Sequence, residues 1–364
     1  MRQSAHKDIL KFLQRVIPGG SQGQLSRRIC LMACLIEACV RNGHCRLESL
    51  SEPTDAYRAR RKSSLLQQTK RWLSNKWTDW QTFYLPFVRH FLQGLAAKGE
   101  IVFVIDGSQT GSANTTLMLS VLCRGFAIPV AWVIKKGEKG HFPEEMHIEL
   151  LKMVAQVGLP NGECRIVLLG DGEFDGQGLQ QWCCDNHWSF VVRTSSDRLI
   201  DFDGEVARFD SMRTTRSICF IPGALPLANA VYWRGKGHAK PLLLLTNLEL
   251  GYEACHYYKR RFKIETLFKH LKSAGFYLHK TRLRCPEKLA NLIIVVAFSF
   301  VFSFCMGLFI KHNIHGKTLE TMVRKDRLEK IAPITIAQIA IKLDAVCTLI
   351  FFSELSKNFQ WVFT

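Results

Sequence analysis

The sequence predicts a mixed α/β protein in which helices flank a β-sheet and an α-helical domain precedes it. The apolar residues of the first 80 or so positions recur at helical spacing, with few strand signals among them. From Gly99 onward, apolar strands alternate with helical segments. Residues 195–247 interrupt this alternation with short strands separated by glycine and proline, which is typical of a β-rich insertion.

Each element after residue 99 has its own local signal. Apolar runs predict strands over 100–105, 115–122 and 127–134, and the short turn Cys123-Arg124-Gly125 joins the last two as a hairpin. The next predicted elements are a helix over 143–157, a strand over 164–169, a helix over 175–186, a strand over 189–193 and a helix over 253–273. Three antiparallel strands followed by helix, strand, helix and strand is the order of a ribonuclease-H-like fold.

The charge balance indicates a polyanionic partner. The 364 residues include 49 Lys and Arg against 31 Asp and Glu, a net charge of +18. This length and a 47% hydrophobic content exclude a disordered tail or a disulfide-stapled miniprotein. Such a strongly basic folded protein is expected to bind nucleic acid or an anionic membrane surface.

Half of the excess charge lies in the first 80 residues, where fifteen bases face six acids. The run Arg58–Lys62 makes Arg60, Arg61 and Lys62 candidate contacts for DNA phosphates. The alternative is a solvated helix face, which is the usual meaning of a charge run. We therefore predict a helical DNA-binding domain over 1–95, a ribonuclease-H-like α/β core over 96–195, a β-rich insertion over 196–247, and the rest of the core with a helical C-terminal region over 248–364.

The cysteines and histidines do not predict a zinc site. The thirteen cysteines contain no CxxC pair, which structural zinc sites usually use. Their odd number and an amino terminus without an apolar signal core indicate free thiols in a reducing cytoplasm. His141 and His147 have no partner at the spacing of a metal ligand pair or a general base, so we expect surface or structural roles for them.

One apolar segment is long enough to cross a bilayer. Leu289–Ile310 carries no charged residue over 22 positions. It contains Asn291 and two serines, however, and follows directly on a basic segment. A helix buried on all sides explains it as well, and we favour that interpretation over membrane association.

Two aspartates stand at equivalent places in the predicted sheet. Asp106 follows the strand 100–105, and Asp171 follows the strand 164–169 with Gly170 between them. Side chains at the carboxyl ends of strands collect at one edge of an α/β sheet, where active sites form. Each is also followed by glycine, so ordinary turn chemistry is the alternative for either one alone.

A third carboxylate lies in a strongly basic segment. Cys255–Arg284 holds nine bases and a single acid, Glu265. On one continuous helix, Tyr258, Arg261, Glu265 and Lys272 would share one stripe. The simpler alternative is an amphipathic helix in which Glu265 pairs with Arg261 and Lys269 at i±4.

The spacing Y-x2-R-x3-E-x6-K, formed by Tyr258, Arg261, Glu265 and Lys272, resembles the signature of bacterial transposases of the insertion-sequence-four family, members of the DDE class. Asp106 in Val-Ile-Asp-Gly-Ser and Asp171 in Gly-Asp-Gly-Glu-Phe-Asp support the resemblance, which covers roughly residues 96–310. The β-rich stretch after Ser195 is similar to the insertion that this family carries between its second aspartate and its glutamate.

The resemblance implies a catalytic triad of Asp106, Asp171 and Glu265 that binds two Mg²⁺ ions, with Mn²⁺ as a possible substitute. Carboxylate oxygens suit magnesium, and paired ions suit phosphoryl transfer. Tyr258, Arg261 and Lys272 would hold DNA phosphates. Trp233 would stack on an extruded base, although a structural strand tryptophan is the simpler interpretation.

The implied function is a DNA transposase that cleaves and joins double-stranded DNA at terminal inverted repeats and target sites. Cut-and-paste transposition through a hairpinned end is expected, by a homodimer assembled on DNA. The expected location is the bacterial cytoplasm, at the nucleoid, without a membrane partner. The alternative is a catalytically inert, DNA-binding remnant of such an enzyme.

Overall fold

A computed structural model describes residues 5–53, 61–111, 113–137, 141–159, 164–212, 214–234, 240–273, 275–313, 331–343 and 351. These residues divide into two compact units. The first comprises those within Met1–Phe91, Gln109–Asn114 and Phe268–Thr364. The second comprises those within Leu92–Ser108 and Thr115–Leu267.

Helices dominate both ends of the chain, and strands its middle. The helices are α1 (Ala5–Val16), α2 (Gly23–Asn42), α3 (Leu47–Leu50), α4 (Lys62–Leu73), α5 (Trp80–Phe83), α6 (Leu85–Ala96), α7 (Glu144–Ala155), α8 (Gln177–Asp185), α9 (Gly251–Arg260), α10 (Lys263–Lys272), α11 (Pro286–Asn313) and α12 (Pro333–Lys342). The strands are β1 (Glu100–Thr110), β2 (Asn114–Cys123), β3 (Phe126–Lys136), β4 (Arg165–Gly170), β5 (Ser189–Arg193), β6 (Leu199–Phe202), β7 (Glu205–Arg208), β8 (Ile218–Leu225), β9 (Ala228–Trp233) and β10 (Leu242–Thr246).

The first unit is a helical assembly around the apolar helix α11. Phe298 on α11 is fully buried, and its ring contacts the rings of Phe12, Tyr84 and Phe87 at centroid distances of 6.5, 5.0 and 5.4 Å. Gly307 allows α12 to approach, because a Cβ there would lie 1.9 Å from the Pro333 carbonyl oxygen. Within the described residues α11 is the one helix long and apolar enough to cross a membrane, and 94% of its most apolar stretch is buried inside the protein.

The second unit is built on an eight-stranded sheet with the order β3-β2-β1-β4-β5-β10-β9-β8. Strands β1, β4 and β5 are parallel to one another. The connections β1–β2 and β2–β3 are too short for a parallel crossover, so these neighbours are antiparallel. The order 3-2-1-4-5 with this pattern is ribonuclease-H-like, which confirms the predicted fold class.

The predicted β-rich segment divides between two sheets. Strands β8, β9 and β10 extend the main sheet beyond β5, all in antiparallel pairs. Strands β6 and β7 form a separate antiparallel hairpin. The expected short strands are therefore present, and part of them continues the central sheet.

The single helix predicted over 253–273 is wrong, because it is two helices, α9 and α10. The break lies at Arg261 and Phe262. The Arg261 N–H donates to the Tyr258 carbonyl at 3.0 Å, and the Ile264 N–H donates to the Arg261 carbonyl at 3.2 Å. These tighter turns interrupt the 3.6-residue period between the two helices.

Candidate active site

Asp106 and Asp171 lie side by side at one edge of the central sheet. The pairing of parallel strands β1 and β4 sets Val104 opposite Leu169, and each aspartate follows two residues later. Burial, followed by the charge of Asp171, raises the pKa of Asp106 to about 6, against the opposing effect of Arg261. The two carboxylates converge as predicted, but Asp106 lies within β1, which continues to Thr110 and does not end at residue 105.

Backbone donors orient both carboxylates. The Gly107 N–H donates to Asp106 Oδ1 at 2.8 Å, and the Glu173 N–H donates to Asp171 Oδ1 at 3.0 Å. Each aspartate thus makes the short-range turn hydrogen bond that was its alternative explanation, and the two carboxylates also converge. The ring of Phe142 lies directly against Gly107, where a Cβ would come within 2.8 Å of it, so a side chain at this position would displace the ring.

Glu173 ties the Asp171 loop to the segment before α7. Its Oε1 accepts a hydrogen bond from the Phe142 N–H at 2.6 Å and lies 3.9 Å from Nε2 of the buried His147. Its Oε2 lies 3.9 Å from His141 Nδ1. Burial opposes the ionisation of Glu173, but the two histidines and the Phe142 amide lower its pKa below the ordinary value. His141 is exposed and His147 is buried, in agreement with the surface or structural roles expected for them.

A second glutamate on α7 supports the same loop. Glu144 accepts a hydrogen bond from the Leu179 N–H at 2.9 Å, and Gly176 and Gly178 lie against its carboxylate. Asp175 accepts a hydrogen bond from the Thr194 hydroxyl. The positioning roles of Glu173 and Glu144 are not visible in the sequence, because contacts between residues 31 to 35 positions apart leave no local pattern.

Arg261 lies between two carboxylates of the predicted triad, those of Asp106 and Glu265. Its Nη2 lies 3.1 Å from Glu265 Oε1, and its Nη1 lies 3.7 Å from Asp106 Oδ2. The Arg261 side chain is 9% exposed, whereas that of Glu265 is 56% exposed. The i,i+4 ion pair between Arg261 and Glu265 is therefore present, and Arg261 also pairs with Asp106.

The donor chemistry fits a hard divalent cation, but the present arrangement contains an arginine instead. Within the described part of the chain, no group of three or more His, Cys, Asp or Glu side chains lies close enough to hold an ion. The guanidinium of Arg261 supplies the positive charge between Asp106 and Glu265. The carboxylate oxygens of Asp106, Asp171 and Glu265 are the hard donors that suit Mg²⁺.

The predicted phosphate-binding residues differ in their surroundings. Tyr258 is fully buried, and burial raises its pKa. The Arg261 guanidinium carbon lies 5.7 Å from the centre of the Tyr258 ring. Lys272 belongs to the first unit, where its Nζ lies 5.9 Å from the Phe268 ring centre. Tyr258 and Arg261 would therefore have to become more exposed to touch DNA, and their phosphate roles stay predictions.

The other residues predicted to contact DNA are Trp233 and the basic run Arg60, Arg61 and Lys62. Trp233 is buried on β9 with Lys259 Nζ 5.2 Å from its ring centre, so base stacking there stays a prediction. Arg60 lies outside the described residues. Arg61 is exposed just before α4, and Lys62 pairs with Glu52 at 3.5 Å.

The raised pKa of Asp106 predicts a pH-dependent stability of the metal-free protein. A carboxyl whose folded pKa is raised contributes stability that is present below its unfolded pKa near 4 and is lost as pH rises through about 6. Asp106→Asn should remove this loss, on the order of 1–3 kcal/mol. Thermal melts in chelator from pH 5 to pH 8 should show the wild type falling relative to Asp106→Asn. Asp185→Asn is the control. If the melting temperatures of wild type and Asp106→Asn change in parallel with pH, the raised pKa of Asp106 is wrong.

Residues 107–302 match the family model described as transposase DDE domain. No curated protein matches the sequence. Among solved structures, the piggyBac transposase synaptic complex with hairpin DNA is similar over 94% of this chain and 79% of that chain, with a TM-score of 0.47 and 13% identity. Aquifex aeolicus Argonaute (53% and 28%; TM-score 0.24; 11% identity) and human ENDOV (63% and 95%; 0.24; 15%) are also similar. The family match spans more than half of the chain, includes Asp171 and Glu265 and begins one residue after Asp106, and the protein belongs to the transposase DDE domain family.

Proposed function

We propose that this protein is an active DNA transposase of the insertion-sequence-four type. The observation that carries the proposal is the convergence of Asp106 and Asp171 just beyond the last paired residues of the parallel strands β1 and β4, with Glu265 linked to Asp106 through Arg261. The enzyme would bind terminal inverted repeats, cleave the DNA there and join the freed 3′ end to a target. The resemblance to that family supports a cut-and-paste route through a hairpinned end.

The three carboxylates are the proposed ligands of two Mg²⁺ ions, with Mn²⁺ as a possible substitute. Bound ions would supply a nucleophile at neutral pH and charge neutralisation at the phosphorus. The protein orients Asp106 and Asp171 through hydrogen bonds from the Gly107 and Glu173 amides to Oδ1 of each, while Asp106 Oδ2 faces Arg261. The Glu173–Phe142 hydrogen bond fixes the loop that bears Asp171.

The proposed substrate contacts follow from charge and residue type. Arg261 is suited to a bidentate phosphate contact and Lys272 to a point-charge contact. Tyr258 is the third phosphate-binding candidate, and Trp233 is the base-stacking candidate. The proposed partners are double-stranded repeat and target DNA and a second copy of the chain, assembled on DNA at the bacterial nucleoid. The net charge of +18 supports a DNA partner.

Strand cleavage tests the proposal against the alternative of an inert remnant. The purified full-length chain is incubated with a duplex carrying the inverted repeats that flank its reading frame, with Mg²⁺ or with chelator. Metal-dependent nicking at the repeat boundary supports the transposase. DNA binding without nicking, at any metal concentration, supports the remnant.

The bridging position of Arg261 predicts competition with metal ions. Arg261→Met removes the cation between Asp106 and Glu265, so we expect DNA-free protein to bind Mn²⁺ more tightly, on the order of fivefold. Titration calorimetry or Mn²⁺ electron paramagnetic resonance measures the affinity. Arg260→Met is the matched control, because Arg260 pairs with Glu100 instead. Weaker Mn²⁺ binding by Arg261→Met would show that Arg261 positions the ligands and does not compete with the ion.

A further inference from the structure

A basic groove lies in the first unit between the amino-terminal part of α2 and the carboxyl-terminal part of α4. It encloses about 690 Å³. One wall carries Gln24, Arg27 and Arg28, and the other carries Gln68 and Arg71, with Asn75 beyond the end of α4. The spacings of three and four residues place these side chains on one face of each helix.

The charged residues that line the groove are all basic. Three arginines line it, and none of its lining residues is an acid. Arg27 and Arg71 are exposed, and within the described residues neither forms an ion pair with a carboxylate. The nearby amino end of the 20-residue helix α2 adds a partial positive charge.

The floor of the groove is rigid. The Arg28 Nη1 donates to the Trp77 carbonyl at 2.6 Å, and the Trp72 Nε1 donates to the Arg28 carbonyl at 3.1 Å. Trp72 is buried and packs edge-on against Phe83 at 5.7 Å. Arg28 and Trp72 thus hold the two helices together, so Arg27 and Arg71 project from a fixed frame.

An exposed aromatic residue follows the groove in the chain. Trp77 is 60% exposed, and Lys76 Nζ lies 5.2 Å from its ring centre. Large exposed aromatic side chains mark interaction surfaces, and a tryptophan next to a lysine suits a sugar–phosphate backbone. The exposed Trp77 ring and the basic groove together indicate a nucleic acid, which carries both phosphates and flat rings.

We infer that this α2/α4 groove is the surface with which the first unit holds duplex DNA. Arg27 and Arg71 contact phosphates, and the amides of Gln24, Gln68 and Asn75 face base edges, where such amides pair with adenine. The inference rests on the proposed transposase function and gives its DNA-binding unit a surface. It differs from the run at Arg60, Arg61 and Lys62, of which Lys62 already pairs with Glu52.

The salt dependence of DNA binding tests the groove. Full-length protein is titrated onto a fluorescent 30-base-pair terminal-repeat duplex between 50 and 300 mM salt. Arg27→Gln with Arg71→Gln should lower the slope of log affinity against log salt by roughly 2, because each phosphate contact contributes about 0.9. The control pair, Arg41→Gln with Arg208→Gln, removes the same charge from positions paired with Glu37 and Asp210 and should leave the slope within about 0.5 of wild type.

Two further variants separate phosphate contact from base contact. Arg27→Lys with Arg71→Lys should restore most of the slope, because charge is retained. Gln68→Ala should reduce the preference for the repeat duplex over a scrambled duplex severalfold without changing the slope. A slope that falls equally in the groove and control pairs would overturn the groove assignment.

The outcomes also distinguish the groove from the proposed function. If wild type binds the duplex and the groove pair has an unchanged slope, the groove assignment is wrong while the transposase proposal stands. If wild type binds neither duplex but binds phosphatidylserine vesicles through Arg27 and Arg71, both are wrong. Circular dichroism melts should show the groove pair folded like wild type, because both side chains are exposed.

Discussion

Asp171→Asn is expected to lower metal-dependent nicking of repeat DNA on the order of a thousandfold or more while leaving DNA binding measurable. The substitution keeps the size of the side chain but removes one of the two adjacent charges at the strand ends. Asp106 then loses the neighbour that, after burial, contributes most to its raised pKa. A divalent ion would lose both a ligand and much of the local negative charge.

Quantitative nicking of the labelled repeat duplex measures the loss, and fluorescence anisotropy measures retained binding. Asp185→Asn is the matched control, since Asp185 lies at the end of α8 and accepts a hydrogen bond from Gln181. We expect Asp106→Asn and Glu265→Gln to behave like Asp171→Asn. Wild-type nicking by any of the three would exclude that residue from the triad.

Phe298→Ala is expected to destabilise the first unit by about 3–5 kcal/mol. The ring is fully buried and contacts four other aromatic rings, including Phe302 at 6.0 Å. Removing it leaves a cavity lined by side chains from α1, α5–α6 and α11 that the surrounding helices cannot fill. The loss therefore combines burial with cavity formation.

Hydrogen exchange of α1 and α11 amides measures the effect within the first unit, where a single global transition need not apply. Phe202→Ala is the control, because Phe202 is a large aromatic residue that is substantially exposed on β6. It should change protection by less than about 1 kcal/mol. Unchanged protection of α11 in Phe298→Ala would contradict the assigned core.

The convergence of the two aspartates was predictable because it depends on local signals. The apolar runs before Asp106 and Asp171 mark the paired parts of β1 and β4, and the parallel pairing brings the residues that follow them together. The fold class followed from the order of the same runs. Both inferences use only hydrophobic periodicity and the rules of sheet connection.

The helix break at Arg261 and the bridge to Asp106 were not predictable in the same way. The segment around Arg261 contains no glycine or proline to mark the break, and apolar spacing continues through it. The bridge joins residues 155 positions apart, and the Glu173–Phe142 bond joins residues 31 apart. Such contacts depend on tertiary packing, which a local pattern does not contain.

The helix α11 also determines when the first unit can fold during synthesis. The Asn291 side chain donates to the Leu73 carbonyl at 2.9 Å, between residues 218 positions apart, and Phe298 completes the aromatic core around Phe12 and Tyr84. The amino-terminal helices emerge from the ribosome first, yet their apolar faces stay uncovered until α11 has been made. Closure of so long a loop is slow, since its entropy cost precedes the contacts that offset it. The central sheet of the second unit is therefore translated before the helices that begin the chain can complete their core.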